Sequence, residues 1–388
     1  MLQYTSYVIS HMWKTQRQTL FHLLSTGLWK TCGKPIYSVS AIADIIPTRY
    51  NHRMASVYGI GNTLIDMHCA VEDGLLQSLD LTKGTMLLVD DRKRNQILQA
   101  LEGKEINYHC GGSAPNTMIT MRMLGMDTYI AGGVGKDKEG AIYRKKLSET
   151  GVVDDLVDYD AHTGTSIILI SPDGERTMNT YLGANRLFDD VDVQIDHVSE
   201  CGLFYFTGYM CDTAAQQRAV RRVLQYAKEH NIMVGFDLAD PFAVGRYRSV
   251  FLDLISNYCD IIFANKGEAR FLVDNYDPYE CCRSMGKLCP VAVVKNGKLG
   301  SFVSDNGKIH TVPMIGSSSA VDTTGAGDTY AAGFLYGMLS GYGPEASGRI
   351  ASYLSGEIIS VVGAQFPEER AEELRRNSKA IAEKEILP

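Results

Sequence analysis

Seven consecutive residues, Asp322-Thr323-Thr324-Gly325-Ala326-Gly327-Asp328, run into an apolar helical pattern that ends near Leu339. Small residues at a helix entrance let a ligand approach the backbone. The first turn also presents N–H groups that lack intrahelical acceptors, at the positive end of the helix. That combination is an anion hole, suited to a phosphoryl group gaining negative charge in transfer. Asp328, at the mouth of the same helix, is placed to accept a proton from an attacking hydroxyl. Read alone, GAGD serves equally well as a tight turn with an aspartate cap. Thr323-Thr324 ahead of it, and Gly333 and Gly337 within the helix, weigh against that simpler reading, because a plain cap needs none of them.

A second loop, Gly111-Gly112-Ser113-Ala114-Pro115-Asn116-Thr117, precedes an apolar helix carrying Met118, Met121 and Met123. Its glycines expose N–H groups, and its Ser and Asn side chains are suited to ligand hydroxyls; the methionine face reads as core. Two further glycine motifs fail. Gly135-Lys136 resembles the end of a P-loop, but Ile130 and Asp137 stand where that motif needs Gly and Ser or Thr. Gly59-Ile60-Gly61 lacks the third glycine of a dinucleotide fingerprint, since residue 64 is Leu. The histidines show no metal-ligand spacing.

The elements that must position these loops alternate. Short apolar runs at Ser56–Ile60, Thr128–Ala131, Leu203–Phe206, Ile232–Phe236, Ile261–Ala264 and Val291–Val294 read as strands. Helical patterns lie between several of them, the clearest at Ala219–His230. This predicts an α/β protein with a mostly parallel sheet covered on both faces. The strand Thr128–Ala131 runs into Gly132-Gly133-Val134-Gly135. Thr165–Ile170 and Arg176–Leu182, joined by Ser171-Pro172-Asp173-Gly174, predict an antiparallel hairpin, either a lid or a simple decoration. The C-terminal part is helical at Gly325–Leu339 and Glu345–Val362, followed by an amphipathic tail over Glu368–Glu385.

The 388 residues carry a net charge of −7, unevenly spread: residues 1–54 total +5 and the remainder −12. The acidic bulk argues against a nucleic-acid partner, and no apolar run is long enough to span a membrane. Nine cysteines without a CxxC pair point to buried thiols in a reducing cytoplasm. The basic residues 1–53 carry none of the motifs, which predicts a non-catalytic extension, either a presequence or an upstream start, before a catalytic domain over 54–388.

Taken together, the two loops resemble the PfkB/ribokinase family of carbohydrate and nucleoside kinases over about residues 54–365. The resemblance implies a ribokinase-like three-layer sandwich with a small β-lid, whose segments fall around 66–72, 105–110 and 165–182. By position, Asp328 would be the general base, and Gly325, Ala326 and Gly327 the anion hole. Asn62, Asp66, Gly111, Gly112, Ser113 and Asn116 would hold the acceptor's hydroxyls. Asn265-Lys266-Gly267-Glu268 is similar to the family's NxxE motif, so that Glu268 would organise Mg²⁺ through water. ATP would lie against Asn265, Lys295, Gly297 and Gly300, although Lys295 stands where the family often has Thr or Ser. Arg176 matches an arginine that meets the transferring phosphate in nucleoside-kinase relatives; as a residue, it is equally an exposed hairpin charge. Asp322 and Thr324, with the loop Val361–Ala364, lie where many members bind K⁺.

GIGNTLID, GGSAPNT and GERTMNTYLGAN resemble the adenosine-kinase branch. The implied reaction is ATP-dependent phosphorylation of a ribose 5′-hydroxyl, with Leu64, Ile168 and Tyr181 as candidates for an apolar base slot. The alternatives are a kinase of free ribose or a fructose-type hexose, or an idle binder of the same ligands. The family's members are monomers or dimers formed through the lid.

Overall fold

The computed structural model describes residues 56–316 and 320–383, so the basic extension 1–53 lies outside the described residues. The large sheet holds β1 (Ser56–Ile60), β5 (Asp127–Gly135), β6 (Val153–Tyr159), β9 (Leu203–Thr207), β10 (Met233–Asp237), β11 (Ile261–Asn265), β12 (Val291–Lys295), β13 (Ser301–Asp305) and β14 (Lys308–Val312). Its order is β14-β13-β12-β11-β10-β9-β1-β5-β6. It is parallel from β6 through β12, and β13 and β14 add antiparallel strands at one edge.

Strand alternation sends neighbouring side chains to opposite faces, and both faces are buried. Val57, Leu203, Tyr205, Ile261 and Phe263 enter one core with helices α3 (Ser113–Met123) and α10 (Ala326–Leu339). Tyr58, Phe204, Phe206, Phe236 and Ile262 enter the other with α6 (Ala214–His230), α7 (Pro241–Tyr258) and α9 (Pro278–Met285). This is the expected three-layer sandwich. Met118 and Met121 of α3 have no exposed surface, as core residues should. α6 begins five residues before the apolar pattern, because Thr213 and Gln216 cap each other's backbone there.

A second sheet has the order β3-β8-β7-β2-β4, with β2 (Leu64–Ala70), β3 (Met86–Leu88), β4 (Asn107–Gly111), β7 (Gly164–Ile170) and β8 (Arg176–Tyr181). β7 and β8 form the predicted hairpin, closed where the Ser171 amide donates to Glu175 O at 3.0 Å and the Gly174 amide to Ser171 O at 2.8 Å. Helices α1 (Asp73–Ser78), α2 (Asp91–Ala100) and α4 (Lys138–Thr150) contribute Leu76, Ile97, Tyr143 and Leu147 to the core beneath it, against Ile65, Met67, Ile167 and Leu169. The short α5 (Ile195–Glu200) and α8 (Lys266–Val273) complete the flanks, and α11 (Pro344–Ile358) and α12 (Ala371–Ala382) pack a third cluster around Leu354, Phe366 and Leu374.

Two groups of glycines serve close packing. β5 extends past Ala131 through Gly135, and a Cβ on Gly132 would stand 2.5 Å from Gly61 O and one on Gly133 2.5 Å from Ala184 O. Gly333 and Gly337 serve packing: their missing side chains let α10 lie against Ala351, Leu354 and Ser347 of α11. All eight cysteines among the described residues are buried thiols. Among those residues no helix is long and apolar enough to cross a membrane.

Candidate active site

The carboxyl ends of adjacent parallel strands are where open α/β sheets bind ligands. Here β9, β10, β11 and β12 end in Thr207, Asp237, Asn265 and Lys295, and all four residues line one cavity of about 1280 Å³. Single small-molecule sites span roughly 300–1,000 Å³, so the volume suits two ligands side by side. Of the eighteen residues predicted for the site, fourteen line this cavity; Gly111, Gly325, Arg176 and Asp322 do not.

At its floor α10 and α3 meet N-terminus to N-terminus. Asp328, in the first turn of α10, accepts from Ser113 Oγ at 2.6 Å and from Asn116 Nδ2 at 3.0 Å. Burial pushes its carboxyl up to about 6, against the lowering effect of those two hydrogen bonds. The Ala326 amide turns back to Thr323 O at 3.3 Å, so it is the Gly327 and Asp328 amides, without intrahelical acceptors, that open toward a ligand. Gln365, which no motif marks, fixes Asn116 by donating to its Oδ1 at 3.3 Å while also holding Cys110 O at 2.7 Å.

Asp66 of β2 faces the same floor. Burial raises its carboxyl to about 7, with Arg176 opposing the shift and Asp328 adding to it. Gly111 and Gly112 make this approach possible. A Cβ on Gly111 would fall 2.2 Å from Asp66 Oδ1, and one on Gly112, where φ is +100°, 2.0 Å from Asn62 O. Asn62 is held in turn by Gln216 Nε2 at 2.9 Å, and the same nitrogen reaches Asn185 O at 3.0 Å. Asn185 substitutes for a strand neighbour at Thr63, taking its N–H at 2.7 Å and donating to its C=O at 2.9 Å. An Asn185→Ala variant leaves both groups buried and unpaired. It is expected to lose about 2–4 kcal/mol of stability in chemical denaturation, on the scale of two orphaned backbone groups.

Arg176 does not reach the cavity. Its guanidinium is paired with Asp322, donates to Thr324 Oγ1 at 3.1 Å, and lies 3.4 Å from His68 Nε2. Asp322 also accepts from the Thr324 amide at 2.9 Å, Thr324 Oγ1 at 2.7 Å and the Gly363 amide at 2.8 Å. Burial works against its charge, but these hydrogen bonds and Arg176 outweigh it and hold the carboxyl below its usual value. Both carboxylate oxygens of Asp322 are thus engaged by protein donors.

At the other end of the cavity, Asn265 and Glu268 form a capping box. Asn265 Oδ1 accepts from the Gly267 and Glu268 amides at 2.8 and 3.0 Å, while Glu268 accepts from the Asn265 amide at 2.7 Å and from its Nδ2. Burial raises the Glu268 carboxyl. Lys295 forms an ion pair with the buried Asp237 at 2.8 Å, a partner that sequence spacing gave no means of finding. Among the described residues no three acidic, histidine or cysteine side chains converge as a metal cage. The hard oxygen donors that line this end, Glu268, Asp237 and Asp240, fit a hydrated Mg²⁺ shared with phosphates, which is how that ion usually binds.

The small sheet forms the remaining wall, where Leu64, Met86, Leu88, Met178 and Leu182 make an apolar stretch beside the polar Asp66, Ser166 and Thr180. Of the other residues expected to form an apolar slot, Ile168 is fully buried and does not line the cavity. Tyr181 projects on the opposite face of β8 from Met178 and Thr180, with the Arg94 guanidinium 5.5 Å from its ring. Strand alternation is the reason for Tyr181, whereas Ile168 shares the face of Ser166 and of its register partner Met178 but is completely covered there.

Comparison with known proteins agrees with this geometry. The family model described as pfkB family carbohydrate kinase matches residues 85–371. Adenosine kinase 1 of Arabidopsis thaliana is 25 % identical over 338 residues, covering 80 % of this chain and 95 % of its own length. The crystal structure of adenosine kinase from Sinorhizobium meliloti superposes with a TM-score of 0.75 at 33 % identity, covering 83 % of this chain and 99 % of that one. A probable sugar kinase from Rhizobium etli CFN 42 gives a TM-score of 0.75 at 32 % identity, covering 84 % and 97 %. A shared fold, a shared family model and a floor built from both signature loops converge: the chain is a phosphotransferase that belongs to the pfkB family of carbohydrate kinases.

Proposed function

We propose that the protein transfers the γ-phosphoryl group of ATP to the 5′-hydroxyl of a nucleoside, adenosine in particular. The observation that carries this reading is the single cavity in which Asp328, the open first turn of α10 and the apolar stretch of the small sheet face one another. Asp66, Asn62 and Ser113 supply polar groups for ribose hydroxyls, and Leu64, Met86, Leu88 and Met178 supply a surface for a base. A free sugar would leave that apolar stretch wet, which favours a nucleoside over ribose or a hexose. Names of similar proteins, adenosine kinases among them, support the same choice.

In this reading the acceptor hydroxyl lies within reach of Asp328, which takes its proton as the phosphoryl group moves onto the Gly327 and Asp328 amides. Ser113 and Asn116 hold the carboxylate toward that hydroxyl, and the hairpin excludes water. Mg²⁺, held with the donor's phosphates and waters near Glu268, would neutralise phosphate charge when bound. The catalytic unit spans 54–388 with 1–53 as an appendage, and buried thiols suit a reducing cytoplasm.

The test is ADP release and product analysis with ATP, Mg²⁺ and a panel of nucleosides and sugars. Turnover of adenosine with 5′-phosphate as product is expected. Turnover of ribose or fructose instead would defeat the nucleoside reading. Thermal stabilisation by the panel without turnover would defeat the enzymatic one. In the same assay Asp66→Asn removes a charged acceptor of hydroxyl donors and raises the KM for the acceptor by about 10- to 100-fold. Because the Asp66 carboxyl titrates at about 7, wild-type KM for the acceptor falls as pH rises through that value, and the variant loses this dependence.

A further inference from the structure

The arginine expected to meet the transferring phosphate is occupied by Asp322 and stands outside the cavity. The first turn of α10 nevertheless has a cation beside it. Lys295 Nζ lies 3.4 Å from the point where a Cβ on Gly327 would stand, and outside the local chain it is the only heavy atom among the described residues within 4 Å of that point. β12 delivers it there from the strand end, its register partner on β11 being Asn265. The side chain is only 15 % exposed, and that exposure is to the cavity.

Asp237 fixes the ammonium without exhausting it. One carboxylate oxygen of Asp237 accepts from Lys295 at 2.8 Å, and the other from the Ala239 amide at 3.0 Å. An ammonium has three N–H groups, so the bond to Asp237 leaves two for a ligand. Burial works against the Lys295 charge, but Asp237 and Glu268 outweigh it and hold the amine above its usual value, with Asp328 adding to the effect.

We infer that Lys295 is a catalytic residue: its ammonium, anchored by Asp237, touches the γ-phosphoryl group at the open turn of α10 and neutralises charge on it during transfer. The inference rests on the kinase reading above. In the step, the acceptor O–H proton passes to Asp328 and the acceptor oxygen–phosphorus bond forms. The bond from phosphorus to the bridging oxygen breaks, leaving its electron pair on the β-phosphate of the donor. Lys295 exchanges no proton; it contributes position and charge. A neutral Thr or Ser at this position would supply a hydroxyl but no charge.

A buried lysine–aspartate pair can also be a purely structural contact, and the test must separate the two. The full chain is used throughout. Lys295→Met is expected to lower kcat by about 100-fold, the scale of one lost charge-stabilising donor, with a smaller change in the acceptor's KM. Lys295→Arg restores part of that loss. Since Lys295→Met leaves Asp237 buried without its partner, the double variant Lys295→Met/Asp237→Asn removes both charges and its melting temperature returns toward wild type; Asp237→Asn alone measures the loss from that oxygen donor, and the kcat of the double variant stays well below it.

Calorimetry provides a second reading that does not depend on turnover. Affinity for β,γ-imido-ATP falls about tenfold in Lys295→Met, as expected for one lost charged contact, while affinity for ADP is unchanged. Recovery of wild-type kcat in the double variant, or equal losses of ADP and imido-ATP affinity, would overturn the assignment. If wild-type protein turns over no acceptor, the kinase reading fails by itself. The difference between ADP and imido-ATP binding still decides whether Lys295 faces a third phosphate.

Discussion

An Asp328→Asn variant is expected to lose about 10²- to 10⁴-fold in kcat, the contribution of a positioned general base, and to keep its fold. Asparagine has the same shape, and its amide oxygen can still accept from Ser113 or Asn116, whose bonds to the aspartate are 2.6 and 3.0 Å. What disappears is the ability to take a proton. The same assignment fixes the direction of the pH dependence. The base must be ionised to act, and its carboxyl titrates at about 6, so the rate of the wild type declines as pH drops through that value. Steady-state kinetics from pH 5 to 8, alongside thermal melts, are the measurement. A variant with normal turnover, or a wild-type rate flat through pH 6, would remove Asp328 from the role.

Gly325→Ala is the second large effect, and its origin is geometric rather than chemical. Gly325 caps α10 with φ at +74°, a conformation that costs an L-residue about 1–2 kcal/mol. A Cβ there would also stand 2.6 Å from the Cβ of Ala364. The helix entrance must shift to relieve both, and the Gly327 and Asp328 amides shift with it. Donors aimed at developing charge lose about 10²- to 10³-fold in rate when displaced or removed. The acceptor's KM should move little, because Asn62, Asp66 and Ser113 are carried by other elements. A KM rise matching the fall in kcat would show that the helix entrance positions the acceptor as well.

Much of this arrangement was legible because the physics is local. The near-continuous apolar runs of β1, β9, β10, β11 and β12 can only be strands buried on two faces, and their order with helices between them dictates parallel pairing. The signature loops state their chemistry in consecutive residues. Elements defined by distant partners were not legible. β13 and β14 mix polar and apolar residues because they close the sheet at an edge, and β3 is a three-residue strand with exposed Met86, Leu87 and Leu88. The glycines of β5 give no local sign that the strand continues through them, because their role is set by the backbone of Gly61 and Ala184, which fills the space a side chain would need. The pairings Lys295–Asp237, Asn116–Gln365 and Asn62–Gln216 join segments far apart in sequence, so none leaves a spacing signal. The NxxE tetrad shows a different limit. Its geometry is that of a helix cap, and a cap and a phosphate-organising motif can be the same four residues.

Asp66 and Asp328 have a consequence for the whole molecule. Both carboxyls hold their protons to a higher pH, about 7 and about 6, than the 3.8 of an unconstrained aspartate, and burial is the main cause of each shift. Between those limits the native chain holds protons on these two groups that the unfolded chain has released, so their contribution to stability is greatest at acid pH and is lost as pH rises through neutrality. The catalytic floor is thus a standing thermodynamic load on the fold, heaviest under the conditions in which the base is ionised and able to act. A ligand that donates hydrogen bonds to these carboxylates lightens that load, so occupancy of the cleft stabilises the protein more at neutral pH than at acid pH.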